Sequence, residues 1–350
     1  MLRLSRALSR REALSLVVAA YPAGMAMKAG EESLRGGQLT SGQLRSLSSS
    51  LDASSQDRLL SVLNDSTLRG QIPALEVEAI AKTGRPVEQL MLDLFPIAQL
   101  RSVAPLSHYH VGAVIRGVSG ALYLGANLEV PGHMLGFSVH AEQSAVANAF
   151  MHREPGLTSL AVTAAPCGHC RQFLNELSNA ADLKVIVKPT EPRHAGRIEP
   201  VLLPSLLPAS FGPSELGVTE RLFSGAKVDL ETVAVAPDAS GDLTSAALEA
   251  AARSYAPYTK AHAGIALIAS TKAVYAGSYL ENVAFNPSLS PLQAALVGLV
   301  MAGEELSRIS SVVLVELEGA SISQMSATQA VLDGIAPGAR LRRVTARLKK

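Results

Sequence analysis

A segment of this chain occurs twice. Residues 101–129 recur 152 positions downstream, with 11 identities in 29 positions. Arg101-Ser102 meets Arg253-Ser254, Ala104-Pro105 meets Ala256-Pro257, and His110, Gly112 and Ala121 meet His262, Gly264 and Ala273. Tyr123, Gly125 and Leu128-Glu129 likewise meet Tyr275, Gly277 and Leu280-Glu281. Self-similarity at one fixed offset means that a single folded unit is built twice. A chain of 350 residues has room for two such units and a small addition.

Within the first copy the hydrophobic period alternates between strand and helix. Residues 111–116 and 121–129 read as strands, with Gly117-Val118-Ser119-Gly120 as the hairpin turn between them. A helix starts near His140 and runs through Phe150, a buried-type strand spans 159–165, a helix spans 167–177 and a strand spans 184–188. Strands alternating with helices predict parallel pairing, with helices packed against the sheet. Upstream, residues 51–100 read as helical, punctuated at Gly70, Pro73, Gly84 and Pro86. Residues 30–50, rich in Gly and Ser, read as a loose lead-in. Residues 212–241, with Pro213 and Pro237, read as a connection crossing the surface.

Two motifs carry chemistry, and both fall at predicted helix N-termini. One is His140-Ala141-Glu142-Gln143. The other is Pro166-Cys167-Gly168-His169-Cys170, which holds both cysteines of the chain. Two thiolates and one imidazole are a ligand set for a catalytic zinc that keeps a fourth position open. The three-residue spacing puts both sulfurs on one side of a helical turn, and the helix N-terminus favours thiolate. Glu142, two residues from a ligand, is placed to take a proton from water without ligating. A redox pair or half of a structural zinc site are the other readings of C-x-x-C. A redox pair has no use for His140 and Glu142, and His169, the fourth ligand a closed site would want, should point elsewhere on the turn.

The second copy lacks this equipment. With a one-residue deletion, Pro291 falls on His140 and Gln293 on Glu142, and Glu318-Gly319-Ala320-Ser321 follows the strand at 311–317 without a cysteine. This half is therefore structural, an interface or a lid.

Composition narrows the partners. Net charge is +1, aromatic residues make up 4%, and tryptophan is absent. An enzyme that works along a polynucleotide needs a basic track with stacking aromatics. The one basic run, Arg340, Arg342, Arg343, Arg347, Lys349 and Lys350, reads as a solvated tail. No apolar run approaches the roughly 20 residues that cross a bilayer. Arg3, Arg6, Arg10 and Arg11 precede any acid, and residues 13–20 are mostly apolar. That pattern fits a mitochondrial-type transit peptide, a short secretory signal or a disordered extension on an otherwise cytoplasmic protein.

Taken together, these residues resemble the two-domain, homodimeric cytidine deaminases of the enterobacterial type. The paired motifs H-x-E and P-C-x-x-C are a general signature of zinc deaminases, so the link from motif to reaction comes from that signature rather than from spacing. The likeness extends through 107–112, 125–129, Phe211-Gly212-Pro213 and 281–287. It implies one Zn²⁺ per chain, held by His140, Cys167 and Cys170, with Glu142 catalytic. It also implies deamination of cytidine and 2′-deoxycytidine, a small-molecule nucleoside substrate, a homodimer, and neither nucleic acid nor membrane as partner. Asn127, Leu128 and Glu129 would bind the ribose. Tyr109 stands where the family stacks a phenylalanine on the pyrimidine, and Phe211 would close the site of the partner subunit. The implied fold is α/β: a three-layer α/β/α deaminase fold, duplicated as one catalytic and one zinc-less copy. Its bounds are an extension at 1–45, a small helical domain at 46–88, the catalytic domain at 89–214, a linker at 215–240 and the zinc-less domain at 241–350. A non-catalytic zinc or redox protein on the same fold is the rival from another class.

Overall fold

The structure is a computed structural model that describes residues 40–188, 199–234 and 241–349. The expected targeting segment falls on residues 1–39, outside the described residues. Among the described residues, no helix is long and apolar enough to cross a membrane.

The described residues open with five short helices: α1 (Ser41–Leu47), α2 (Ala53–Asn64), α3 (Ala74–Ala81), α4 (Val87–Asp93) and α5 (Phe95–Leu100). Their ends follow local rules. Thr40 and Asp52 cap α1 and α2 by accepting from backbone N–H groups, and Pro73 and Pro86 stand just ahead of α3 and α4. Strand β1 (Gln71–Ile72), between α2 and α3, adds antiparallel to β3 (Leu122–Ala126) at the edge of the first sheet. Leu59, Ile80 and Leu94 join Ile115 and Leu160 in one core.

That sheet continues through β2 (Gly112–Gly117), β4 (Leu157–Val162), β5 (Lys184–Val187) and β6 (Val201–Leu202) in the order β1-β3-β2-β4-β5-β6. The expectation of parallel pairing is half right. Only β4 and β5 pair in parallel, because β2 inserts antiparallel between β3 and β4. The crossovers through α6 (Ala141–Met151) and α7 (Gly168–Leu174) still join strands that run one way. The short α8 (Leu203–Leu206) follows β6.

Two glycines show how the layers form. Ala113 pairs with Gly125 and Gly112 with Ala126, so Gly112 and Gly125 face opposite sides of the pleat. A Cβ on Gly125 would sit 2.3 Å from the backbone nitrogen of Ala145 in α6, while one on Gly112 would meet Ala98 and Gln99 of α5 at 3.0 Å. Helices therefore cover both faces, giving three layers.

The second copy repeats this plan with α9 (Gly241–Ala252), β8 (Ala263–Ile268), β9 (Val274–Ser278), α10 (Pro291–Met301), β10 (Ser311–Leu317), α11 (Met325–Ile335) and β11 (Arg340–Leu348). Strand β7 (Leu230–Ala234) closes its far edge, in the order β7-β11-β10-β8-β9. The stretch read as a surface connection thus supplies a strand to this sheet. Gly277 would meet Pro291 and Ala295 of α10 at 2.2 and 2.3 Å, and Gly264 would meet Ala251 of α9 at 2.1 Å.

Helices α6 and α10 face each other across the junction of the copies, related by an approximate two-fold. Gln143 donates to the backbone oxygen of Pro287 at 3.0 Å, and Gln293 donates to that of Phe137 at 3.1 Å. Both glutamines also accept from the N-cap residue of their own helix, His140 or Ser290. These matches correct the sequence register by one position: Ser290 is the counterpart of His140, Leu292 of Glu142, and Gln293 of Gln143. The basic run is corrected as well. Its four arginines lie on the interior strand β11 rather than on a tail; Arg343 pairs with Glu316 at 2.8 Å and Arg347 with Glu231 at 2.7 Å, and both arginines stay exposed.

Gly277→Val should therefore lower stability by about 3 kcal/mol, since its side chain would meet backbone atoms that cannot turn aside. A thermal midpoint equal to that of the parent would show that α10 is not seated so closely.

Candidate active site

His140 caps α6 and is delivered by a short antiparallel bridge, Leu128 with Val139, both of whose hydrogen bonds are 2.8 Å. Cys167 caps α7, and Cys170 lies in its first turn, fully buried. Arg171 pins the approach by donating to Pro166 at 2.7 Å and to Leu206 at 2.9 Å. The His140 Nδ1 stands 3.4 Å from the Cys167 Sγ and 3.2 Å from the Cys170 Sγ, and the sulfurs are 3.8 Å apart. A tetrahedral zinc with bonds of about 2.3 Å to sulfur and about 2.0 Å to nitrogen sets edges of about 3.8 and 3.5 Å. The three donors fit that ion. His169 is outside the cluster, although its ring lies 5.6 Å from that of His140.

Without a metal the trio shares its protons unevenly. Hydrogen bonds from Cys170 and then His140 hold the Cys167 thiol at about 3. The Cys170 thiol is pushed well above the ordinary range, first by its bond to Cys167 and then by burial and Glu142. The bond to Cys167 raises His140 against the effect of burial. Two thiolates at this spacing need a cation, and a coordinating metal ion deprotonates both. Glu142 is 4% exposed at the second position of α6, and burial raises its carboxyl while its own backbone N–H and His140 oppose the shift.

The residues expected to line the opening have fuller occupations than their spacing implied. Asn127 Oδ1 accepts from Ser102 at 2.6 Å and from the Val111 backbone at 2.9 Å, and Nδ2 donates to the Tyr109 carbonyl at 2.9 Å. Glu129 accepts from the backbones of Leu106 and Ser107 at 2.8 and 3.0 Å and from the Ser107 hydroxyl. Tyr109 is 37% and Phe211 46% exposed. The Phe211 carbonyl is tied to the cysteine helix segment by Gln172 at 2.8 Å and Asn175 at 3.2 Å. Leu128 differs from expectation: its side chain is in the core and its backbone is paired with Val139, so it carries His140 rather than lining the opening.

Comparing the copies separates scaffold from chemistry. Glu281 holds the backbones of Tyr258 and Thr259 as Glu129 holds Leu106 and Ser107. The His262–Ser254 contact of 2.8 Å repeats His110–Ser102 at 2.9 Å. These shared groups are the loop clamps of the fold, a role the sequence reading gave to none of them; it had assigned Glu129 to the ribose, and identity in both copies was the signal for the clamps. His140, Glu142, Cys167, Cys170 and Asn127 have no such twin.

Cys167→Ala should drop bound zinc well below one per chain by elemental analysis, whereas His169→Ala should keep it. Zinc lost with His169 would show that the set has a fourth member.

A family model described as the cytidine and deoxycytidylate deaminase zinc-binding region matches residues 86–186, and a second with the same description matches 203–329. The second match spans the copy in which Ser290 and Leu292 occupy the places of His140 and Glu142. The cytidine deaminase of Vibrio vulnificus (strain CMCP6) is 44% identical over 260 residues, covering 74% of this chain and 84% of that protein. That of Serratia proteamaculans (strain 568) is 42% identical over 283 residues, covering 81% and 92%. A solved cytidine deaminase from Burkholderia pseudomallei shares 28% identity, covers 35% of this chain and 97% of its own, and has a TM-score of 0.31. By the two family models and the extent of the likeness to the Vibrio vulnificus and Serratia proteamaculans proteins, the chain belongs to the cytidine deaminase family.

Proposed function

We propose that this chain catalyses the hydrolytic deamination of cytidine and 2′-deoxycytidine to uridine and 2′-deoxyuridine, with release of ammonia. The observation that carries the reading is the trio His140, Cys167 and Cys170, spaced as zinc ligands, with the buried carboxyl of Glu142 beside it. A zinc ion held there supplies Lewis-acid activation of water at neutral pH. The remaining work falls to the chain. Glu142 accepts the proton that water gives up as its oxygen adds to C4 of the ring. It delivers that proton to N3 and then carries a second from the added hydroxyl to the departing amine. The C4–N4 bond breaks, a C4 carbonyl remains, and water and nucleoside have become uridine and ammonia. Burial suits the task, because a carboxyl raised toward neutral pH exchanges protons readily.

Asn127 and Glu129 have capacity left for one hydroxyl. Asn127 Nδ2 uses one of its two hydrogens, and Glu129 Oε1 has a lone pair beyond its bond to Ser107. A ribose 3′-hydroxyl accepts from the first and donates to the second. Tyr109 offers the ring that stacks on the pyrimidine, and Phe211 of the partner subunit covers the opening. The exposed apolar side chains Leu106, Tyr109, Phe211 and Phe285 support a dimer that buries them.

The test is an ultraviolet assay of cytidine turnover with zinc measured on the same sample. Glu142→Gln should retain zinc and lower kcat by about 10²–10⁴-fold; an active variant removes Glu142 from its role. Asn127→Ala should raise KM for cytidine about 10-fold, the worth of one hydrogen bond to substrate plus loosening of the 107–111 loop. Sedimentation should give the mass of two chains, and a monomer would remove Phe211 from the site.

A further inference from the structure

Helix α7 carries both cysteines, yet it is less than two turns long and its C-terminal end abuts the zinc-less copy. Glu176, just beyond that helix, is fully buried. Its carboxylate accepts from the Tyr255 hydroxyl at 2.8 Å, the Tyr258 hydroxyl, Asn282 Nδ2 at 3.1 Å and the Val283 backbone at 3.1 Å. All four donors come from the second copy, and all four are uncharged. Asn282, also fully buried, donates in addition to the backbone oxygen of Gln172 at 3.0 Å. The last carbonyls of a helix lack partners within it, so this bond fixes the helix end from outside. Gln172 is two residues from Cys170.

The repeat shows that these donors are particular to one copy. At the offset of 152, Tyr255 aligns with Val103, Tyr258 with Leu106 and Asn282 with Val130. The first copy is apolar at each place where the second offers a donor to Glu176. Their neighbours Glu281 and Ser254 repeat Glu129 and Ser102 and perform the ordinary clamping of the fold. Three polar side chains by which the second copy departs from the first therefore converge on one carboxylate of the cysteine segment. Burial, and then Glu176, raise the pKa of the Tyr255 hydroxyl; burial, and then the bond to Glu176, raise that of Tyr258, so both remain donors.

We propose that Glu176 is a positioning residue. Through it the zinc-less copy sets the seat of α7, and so the placement of Cys167 and Cys170 relative to His140. His140 rides on α6, which is seated on β3, whereas the sulfurs ride on a helix too short to hold itself. Metal sites tolerate displacements of only about 0.5 Å, so the two seats must be set together. Glutamine at 176 presents one acceptor where two are needed and turns N–H groups toward donors.

The inference rests on the zinc reading of the trio, and the experiment separates the two. Zinc per chain, its rate of release to a chromophoric chelator, and kcat and KM for cytidine are measured on the parent, Glu176→Gln and Tyr258→Phe, with folding checked by circular dichroism. The expected result is release accelerated about 10-fold or more in Glu176→Gln, as for other residues that support metal ligands, with kcat reduced and KM little changed. Tyr258→Phe, which removes a single hydroxyl, should show a smaller change in the same direction. Folded variants that release zinc at the parental rate and lose only thermal stability would overturn the proposal, leaving Glu176 as cement between the copies. If Glu176→Gln does not fold, Tyr258→Phe decides alone. A parent chain without zinc would instead sink the reading of the site, and this inference with it.

Discussion

The structure depends on how closely a helix can approach a strand. At Gly125 the backbone of α6 lies where any side chain would be, and at Gly277 the same holds for α10. That contact fixes the axial position of each helix on its sheet and the place of its first residue. In the first copy the first residue is preceded by His140 as N-cap; in the second, by Ser290. Burial does the rest, because a helix packed on both sides holds Glu142 away from water. A ligand and a buried acid two residues apart are thus positioned by a glycine on a neighbouring strand.

Duplication lets two demands be met by different copies. A site that keeps a coordination position open, an acid buried and a loop edge exposed gives up packing at those places. The second copy has no metal donors and no acid at the start of α10, whose buried residues apart from Gln293 are apolar, from Leu292 and Ala294 to Val300. What the copies share is clamping: a glutamate that holds a loop backbone, a histidine on a serine, a glutamine reaching across the two-fold. Where they differ, the first copy holds metal donors and the second holds Tyr255, Tyr258 and Asn282 against Glu176. The pairing of α6 with α10 joins the two sheets into one core, so neither copy is an appendage of the other.

Much of the site was legible in the sequence because its chemistry is local. Cys167 and Cys170 share a turn, and His140 and Glu142 share the start of a helix, so spacing alone placed them. Identity at a fixed offset likewise announced two folds of one kind. The hairpin turn made β2 and β3 antiparallel, but side-chain alternation could not reveal that β4 pairs with β2 rather than with β3, because the pattern of a strand is the same in either direction. Nor could it place β11, since a run of arginines reads as a tail until β10 and β7 are seen on either side of it. Leu128, between two polar neighbours, faces inward as strand alternation requires, and the bridge to Val139 adds that its backbone carries His140.

The sequence by itself determined the donor set, the acid beside it and the doubling of the fold, since these rest on residue type and on separations of a few positions. Only the tertiary structure decided that Ser290 rather than Pro291 is the twin of His140, that Asn127 and Glu129, expected to bind the ribose, also hold the loop at 106–111, and that Glu176 ties the cysteine helix to the other copy. Each of these is a contact between segments distant along the chain. Hydrogen-bond geometry selects such partners in space, and no periodicity within one segment carries that information.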